Sequence, residues 1–133
     1  MSTSYISTAL RRMVEERAKY RCEYCLLPNN ISFFSHEIDH VIAEKHGGQT
    51  EENNLAYSCL YCNRYKGSDL GSFDPLTGDF SFLFNPRLQE WSEHFALENF
   101  QIIGLTPEGR TTAQLLQFNT KARIAERQQL EGS

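Results

Sequence analysis

The stretch HEIDHV, residues 36–41, decides how this chain is to be read. It has the length of a strand, yet two histidines and two acidic residues share it with only Ile38 and Val41 as β-branched apolar members. A strand written for burial alone would carry a plainer alternation of apolar and polar side chains. Here Asp39 and His40 stand side by side, a carboxylate next to an imidazole. Alternation along a strand puts His36, Ile38 and His40 on one face and turns Glu37 away from His40. His36 then reads either as a contact to a metal or a phosphate or, the favoured reading, as a strand residue with a hydrogen bond of its own. Glu37 reads as remote from the imidazole and so without a metal role.

Two cysteine pairs flank this stretch, CEYC (Cys22, Cys25) and CLYC (Cys59, Cys62), with residues 26–58 between them. Thiolates two residues apart can face one ion, and two such pairs fit a closed tetrahedral zinc site of structural type. The alternatives are two disulfides or a redox pair. A thioredoxin-like site needs one pair rather than two, and stable disulfides are disfavoured in the cytosol. The opening MSTSYISTALRRM lacks a basic segment followed by an apolar one, so the expected location is cytoplasmic. No apolar run approaches the length of a membrane span.

The length, 133 residues, predicts a single domain spanning 1–133. A hydrophobic share of 40% and an aromatic share of 12% exclude a disordered chain. The net charge of −4 argues against a protein that coats nucleic acid by bulk electrostatics. Charge is uneven, with five basic and three acidic side chains in residues 1–35 and five and nine in residues 67–133. Contact with phosphate must therefore be local, and the basic candidates are Arg11, Arg12, Arg17, Lys19, Arg21, Arg64 and Lys66.

Helical spacing of Leu10, Met13, Val14 and Ala18, with Ser7 or Thr8 as cap, predicts a helix leading into the first cysteine pair. ISFFSHEIDHVIA reads as extended, EKHGGQTEEN as a loop, NLAYSC as a second strand, and CLYCNRYKGSDL as a short helix ending near Gly67. Further on, FDPLTGDFSFLFNPR reads as a hairpin and WSEHFALENFQIIGLTPEGR as further strands with GLTPEGR a turn. TTAQLLQFNTKARIAERQQL reads as one helix with Leu115, Leu116, Phe118 and Ile124 on its apolar stripe. Trp91 is expected in the core, and His46 and His94 are expected to be solvated or structural.

Between the cysteine pairs the order is Asp39-His40, Gly47-Gly48, Asn54-Leu55, Cys59, Cys62-Asn63 and Lys66. This resembles the HNH endonuclease family, in the branch where two C-x2-C pairs flank the active site, and covers about residues 22–68. LFNPRLQEWSEHF and GLTPEGRTTAQLLQFN, residues 83–95 and 104–119, are also similar to the C-terminal extension of small bacterial HNH proteins. The resemblance implies an α+β fold: a ββα-metal core with a four-cysteine structural zinc site, an N-terminal helix, and a C-terminal hairpin and helix extension over about 69–133. It implies hydrolysis of DNA phosphodiester bonds, double-stranded DNA being favoured, with 5′-phosphate and 3′-hydroxyl products. By the same resemblance His40 is the general base, Asp39 and Asn63 hold a magnesium or manganese ion, and Asn54 keeps His40 oriented. Leu55 after Asn54 selects it over Asn53.

The chemistry suits these residue types. Imidazole changes charge near neutral pH, and a hard dication takes oxygen ligands while keeping several waters. Asn63 follows Cys62 directly, so zinc would fix the start of the helix that bears it. Arg64 and Lys66 are candidates for phosphate contact, which positions a strand without reading its sequence. Tyr24, Tyr61 and Tyr65 fit either base stacking or packing about the cysteines. The alternative from another class is a non-catalytic zinc module binding nucleic acid or protein. A single HNH site cuts one strand, which leaves a homodimer or a protein partner open, and the same site chemistry would serve RNA or branched DNA.

Overall fold

Ser7 opens the first helix, α1 (Thr8–Arg17), its hydroxyl accepting the Leu10 N–H at 3.1 Å. The computed structural model describes residues 5–31 and 35–131. These divide into two compact units, Met1–Asp69 with Asn85–Leu88, and Leu70–Phe84 with Gln89–Ser133.

In the first unit, α1 lays Val14 against Leu55 and Tyr57, with Leu10, Met13, Ala18 and Ile38 packed around them. Taking a valine or leucine side chain out of water contributes about 1.5–3 kcal/mol, so this small cluster helps to hold α1 on β2. Lys19 and Tyr20 take left-handed backbone angles that stop the helix and turn the chain into the first cysteine pair. Strands β1 (Glu37–His40) and β2 (Leu55–Ser58) pair antiparallel, with Asp39 opposite Ala56 and His40 opposite Leu55. Ile38 joins the α1 cluster, so the other face of β1 carries Glu37 and Asp39. Helix α2 (Leu60–Lys66) follows, its N-terminus capped by Cys59, and packs on β1.

The long extended segment expected around HEIDHV is shorter than its composition implies. Asn29–Ile31 form a single 3-10 turn, and the strand begins only at Glu37. Residues 32–34 of that expectation lie outside the described residues. The loop between β1 and β2 depends on its two glycines. Gly47 takes φ +90°, and a Cβ on Gly48 would stand 1.7 Å from the Ile42 carbonyl oxygen.

The second unit holds two hairpins and three helices among the described residues. Strands β3 (Gly71–Phe73) and β4 (Phe80–Phe82) form the first hairpin, where FDPLTGDFSFLF predicts it. A short helix α3 (Trp91–His94) precedes the second hairpin, β5 (Phe95–Glu98) and β6 (Gln101–Gly104). Phe95 centres the core, its ring against Phe84, Trp91 and Phe118 at 5.0–5.7 Å between centroids. Trp91 is half-buried rather than enclosed. His94 is structural as expected, its Nδ1 lying 2.7 Å from the Thr106 hydroxyl.

Two sequence expectations fail here. GLTPEGR is not a turn, because Thr106 caps and Pro107 starts a helix, α4 (Pro107–Leu115). Proline at the first helical position lacks only an N–H that would have had no helical partner. The single C-terminal helix is also two, since α4 ends at Leu115 and α5 (Lys121–Glu131) begins afresh. Gln117 turns left-handed at φ 52°, Arg123 donates to the carbonyls of Leu116 and Gln117, and the Asn119 side chain pairs with both the N–H and C=O of Ile102. Tertiary hydrogen bonds thus outweigh an apolar period that runs on without a break.

Candidate active site

The four cysteines meet at one point. Their sulfur atoms all lie within 4.8 Å of one another, and every one of the four residues is buried. A tetrahedral zinc with Zn–S of about 2.3 Å needs sulfurs roughly 3.8 Å apart, and Cys25 and Cys59 stand at 3.6 Å. Backbone N–H groups of Tyr24 and Cys25 point at Cys22 Sγ, and that of Cys62 at Cys59 Sγ, each at 3.4 Å. Burial first, then the neighbouring sulfurs, push the Cys22 thiol well up, and burial likewise raises Cys62. Those two thiols resist ionisation alone in this place, whereas a dication among the four sulfurs reverses the balance. The cluster is a metal-binding arrangement of zinc type, and the cysteines carry no disulfide.

Helix α2 lies along β1 with a simple register. Asn63 Nδ2 donates to Glu37 Oε2, and Lys66 Nζ reaches Asp39 Oδ2 at 3.1 Å. Residues 63 and 66 are neighbours on one helix face, and residues 37 and 39 are neighbours on one strand face. The packing of α2 on β1 thus sets Asn63 beside Glu37 and Lys66 beside Asp39, on the face of β1 that carries both acidic residues. The oxygen-bearing side chains of Asp39, Glu37 and Asn63 are of the kind a hard dication takes. Glu37, set aside on the sequence because it faces away from His40, joins this group for the same reason. It shares its face with Asp39 instead.

Asp39 is 6% exposed and Lys66 2%. The phosphate contact expected of Lys66 does not fit that burial, since its ammonium points inward to Asp39 and to the His40 carbonyl oxygen at 3.1 Å. Arg64, the companion candidate, is exposed on α2. Arg17, another basic candidate, is engaged with the carbonyls of Glu52 and Leu55. Tyr24 completes the surroundings of Asp39, donating its hydroxyl to Oδ2 at 2.9 Å. Burial, then the Asp39 carboxylate, push the Tyr24 phenol well above the usual tyrosine range, so it stays a donor. Burial raises the Asp39 carboxyl, against the lowering effects of Lys66 and Tyr24.

The His40 side chain does not bond to this group. It is buried, and Nε2 lies 2.9 Å from the Thr50 hydroxyl in the β1–β2 connection. Asn54 makes no hydrogen bond to His40 either, but it builds the loop next to it. Its carboxamide accepts from Ile42 N–H and donates to the carbonyls of Ile42 and Gln49, all at 2.9 Å. Sequence reasoning missed Tyr24 as a partner of Asp39, because nothing in CEYC marks which way a tyrosine will point.

This cysteine-flanked strand, helix and amide staple can be set against known families. Residues 22–69 match the HNH endonuclease family. The matched HNH segment begins at Cys22 and ends just past Lys66, so it holds all four cysteines and every side chain described around Asp39 and His40. No curated protein and no solved structure matches the chain. No helix among the described residues is long and apolar enough to cross a membrane.

Proposed function

We propose that this protein is a metal-dependent HNH endonuclease that nicks DNA, its β1, β2 and α2 forming a ββα-metal core. The observation that carries the reading is the paired register of α2 on β1, Asn63 to Glu37 and Lys66 to Asp39, within the segment that matches the family. Asp39 and Asn63 would hold magnesium or manganese through oxygen. When bound, such an ion offsets charge on the phosphate and the leaving oxygen.

The chain's own groups do the rest. Asp39 presents its carboxylate with both hydrogen bonds drawn to Oδ2, which leaves Oδ1 to face a ligand. His40 is held through Nε2 by Thr50, so Nδ1 is the nitrogen that takes the proton of the attacking water. Asn54 fixes the backbone at Ile42 and thereby the exit of the strand that carries His40. Arg64 contacts a phosphate, while Lys66 acts from inside on Asp39. Zinc on the four cysteines braces both ends of this arrangement and takes no part in the chemistry.

Nicking of supercoiled plasmid with magnesium or manganese, with and without chelator, tests the reading. His40→Ala should lower the rate by roughly 10²–10⁴-fold while zinc content, read by metal analysis, stays at the wild-type level. Full activity in that variant removes His40 from the mechanism. Retained DNA binding with no divalent-dependent nicking in the wild type would favour the non-catalytic zinc module.

A further inference from the structure

We propose that Tyr24 is a positioning residue for the catalytic divalent ion, coupling the zinc cage directly to the Asp39 carboxylate. The proposal rests on the nuclease reading of Asp39 and extends it to a residue outside the Asp39, His40, Asn54 and Asn63 set. Tyr24 touches both centres at once. Its backbone N–H points at Cys22 Sγ at 3.4 Å, and its hydroxyl donates to Asp39 Oδ2 at 2.9 Å. The ring between these ends has no exposed surface, which closes the base-stacking role open to a tyrosine here.

The two donors on Asp39 Oδ2 differ in stiffness. The Lys66 ammonium ends a four-carbon stem and can follow the carboxylate if it turns. A tyrosine has two side-chain torsions and a rigid ring, so its hydroxyl stands wherever the backbone of its knuckle puts it. That backbone lies between Cys22 and Cys25 and is set by the zinc. Tyr24 thus fixes the rotation of the Asp39 carboxyl and, with it, the direction of Oδ1. The cage reaches the ion-binding surface from two sides, through Cys62 to Asn63 and through Cys22 to Tyr24.

The test is manganese binding to the zinc-loaded full chain, measured by calorimetry or by the electron paramagnetic resonance of free Mn2+, for wild type, Tyr24→Phe and Asp39→Asn. Loss of an orienting partner outside the ligand sphere typically weakens a metal 10–100-fold. Tyr24→Phe should therefore keep its zinc and bind Mn2+ about 10-fold more weakly, with nicking needing correspondingly more Mn2+ to reach half its maximum. Wild-type affinity in Tyr24→Phe, alongside lost binding in Asp39→Asn, leaves Tyr24 a packing residue and overturns the proposal alone. Unchanged binding in Asp39→Asn overturns the metal role of Asp39 and the proposal with it. Should Tyr24→Phe lose zinc, a magnesium titration of wild type with ring-labelled tyrosine decides. A Tyr24 ring signal that tracks saturation supports the coupling, and one that stays fixed overturns it.

Discussion

Asp39 in the first unit and Asp74 in the second are both almost completely buried, 6% and 1% exposed, and each has a cation within 3.1 Å. Their surroundings treat them oppositely. Asp74 is bonded on both oxygens: Arg110 Nε to Oδ1 at 3.0 Å, Arg110 Nη2 to Oδ2 at 2.8 Å, and the Leu76 N–H to Oδ1 at 2.9 Å. The Arg110 hydrogen bonds hold its carboxyl down at about 2. Asp39 takes both of its donors on one oxygen, and burial raises its carboxyl despite the ammonium beside it. A fork-shaped guanidinium closes a carboxylate, whereas a point-like ammonium leaves part of it open. The first arrangement ties a hairpin to a helix. The second puts both donors on one oxygen, and the other is where the proposed ion would bind.

Breaking the frame around Asp39 should have the largest effect. Cys59→Ser removes one sulfur from the four-cysteine cluster while leaving a side chain able to cap α2. The expected outcome is lost zinc, a strongly lowered melting temperature and no nicking, read by metal analysis, thermal unfolding and plasmid assay.

Exchanging the two carboxylates for amides sharpens the contrast. Asp39→Asn should cost nicking on the order of 10²-fold or more and also lower the melting temperature, because the buried Lys66 ammonium loses its anionic partner. Asp74→Asn should lower the melting temperature by several degrees while nicking well below that temperature persists. Equal loss of activity in both would show that Asp39 is as structural as Asp74.

The smallest effect is a pH dependence. Asp74 titrates at about 2 when folded, below the ordinary carboxylate value, so the folded state favours its ionised form. Its stabilisation is fully present above about pH 4 and is lost as pH falls through about 2. Melting temperatures of wild type and Asp74→Asn, measured from pH 5 downward, should converge as the acid limb is descended. A constant gap would mean that Arg110 does not set the titration of Asp74.

Much of the first unit was legible because its signals are local. Spacing placed α1, the Asp-His strand, β2 and a helix ending at Gly67, and the cysteine pairs implied one four-sulfur site. What escaped was the inward course of two side chains. Lys66 looks like a surface lysine in CNRYKG, and its partner Asp39 is brought to it only by the packing of α2 on β1. Tyr24 is tied to the same carboxylate, again by tertiary packing. In the second unit the hairpin at FDPLTGDF was legible from its turn residues, but the C-terminal helix break was not. Leu116 and Phe118 keep the apolar period across a point where Asn119 and Arg123 redirect the backbone.

The Asn54 staple carries a consequence for how this protein can change. The bridge from Val41 to Asn54 meters chain length, because the Asn54 carbonyl receives the Val41 N–H at the same place where its carboxamide grips Ile42 and Gln49. Strand pairing has a two-residue side-chain period, so a one-step slip of β1 would present Ile38 to α2 in place of Asp39. A segment that looks like a plain surface excursion thus carries, at its two ends, the contacts that hold the register of the strand bearing Asp39 and His40.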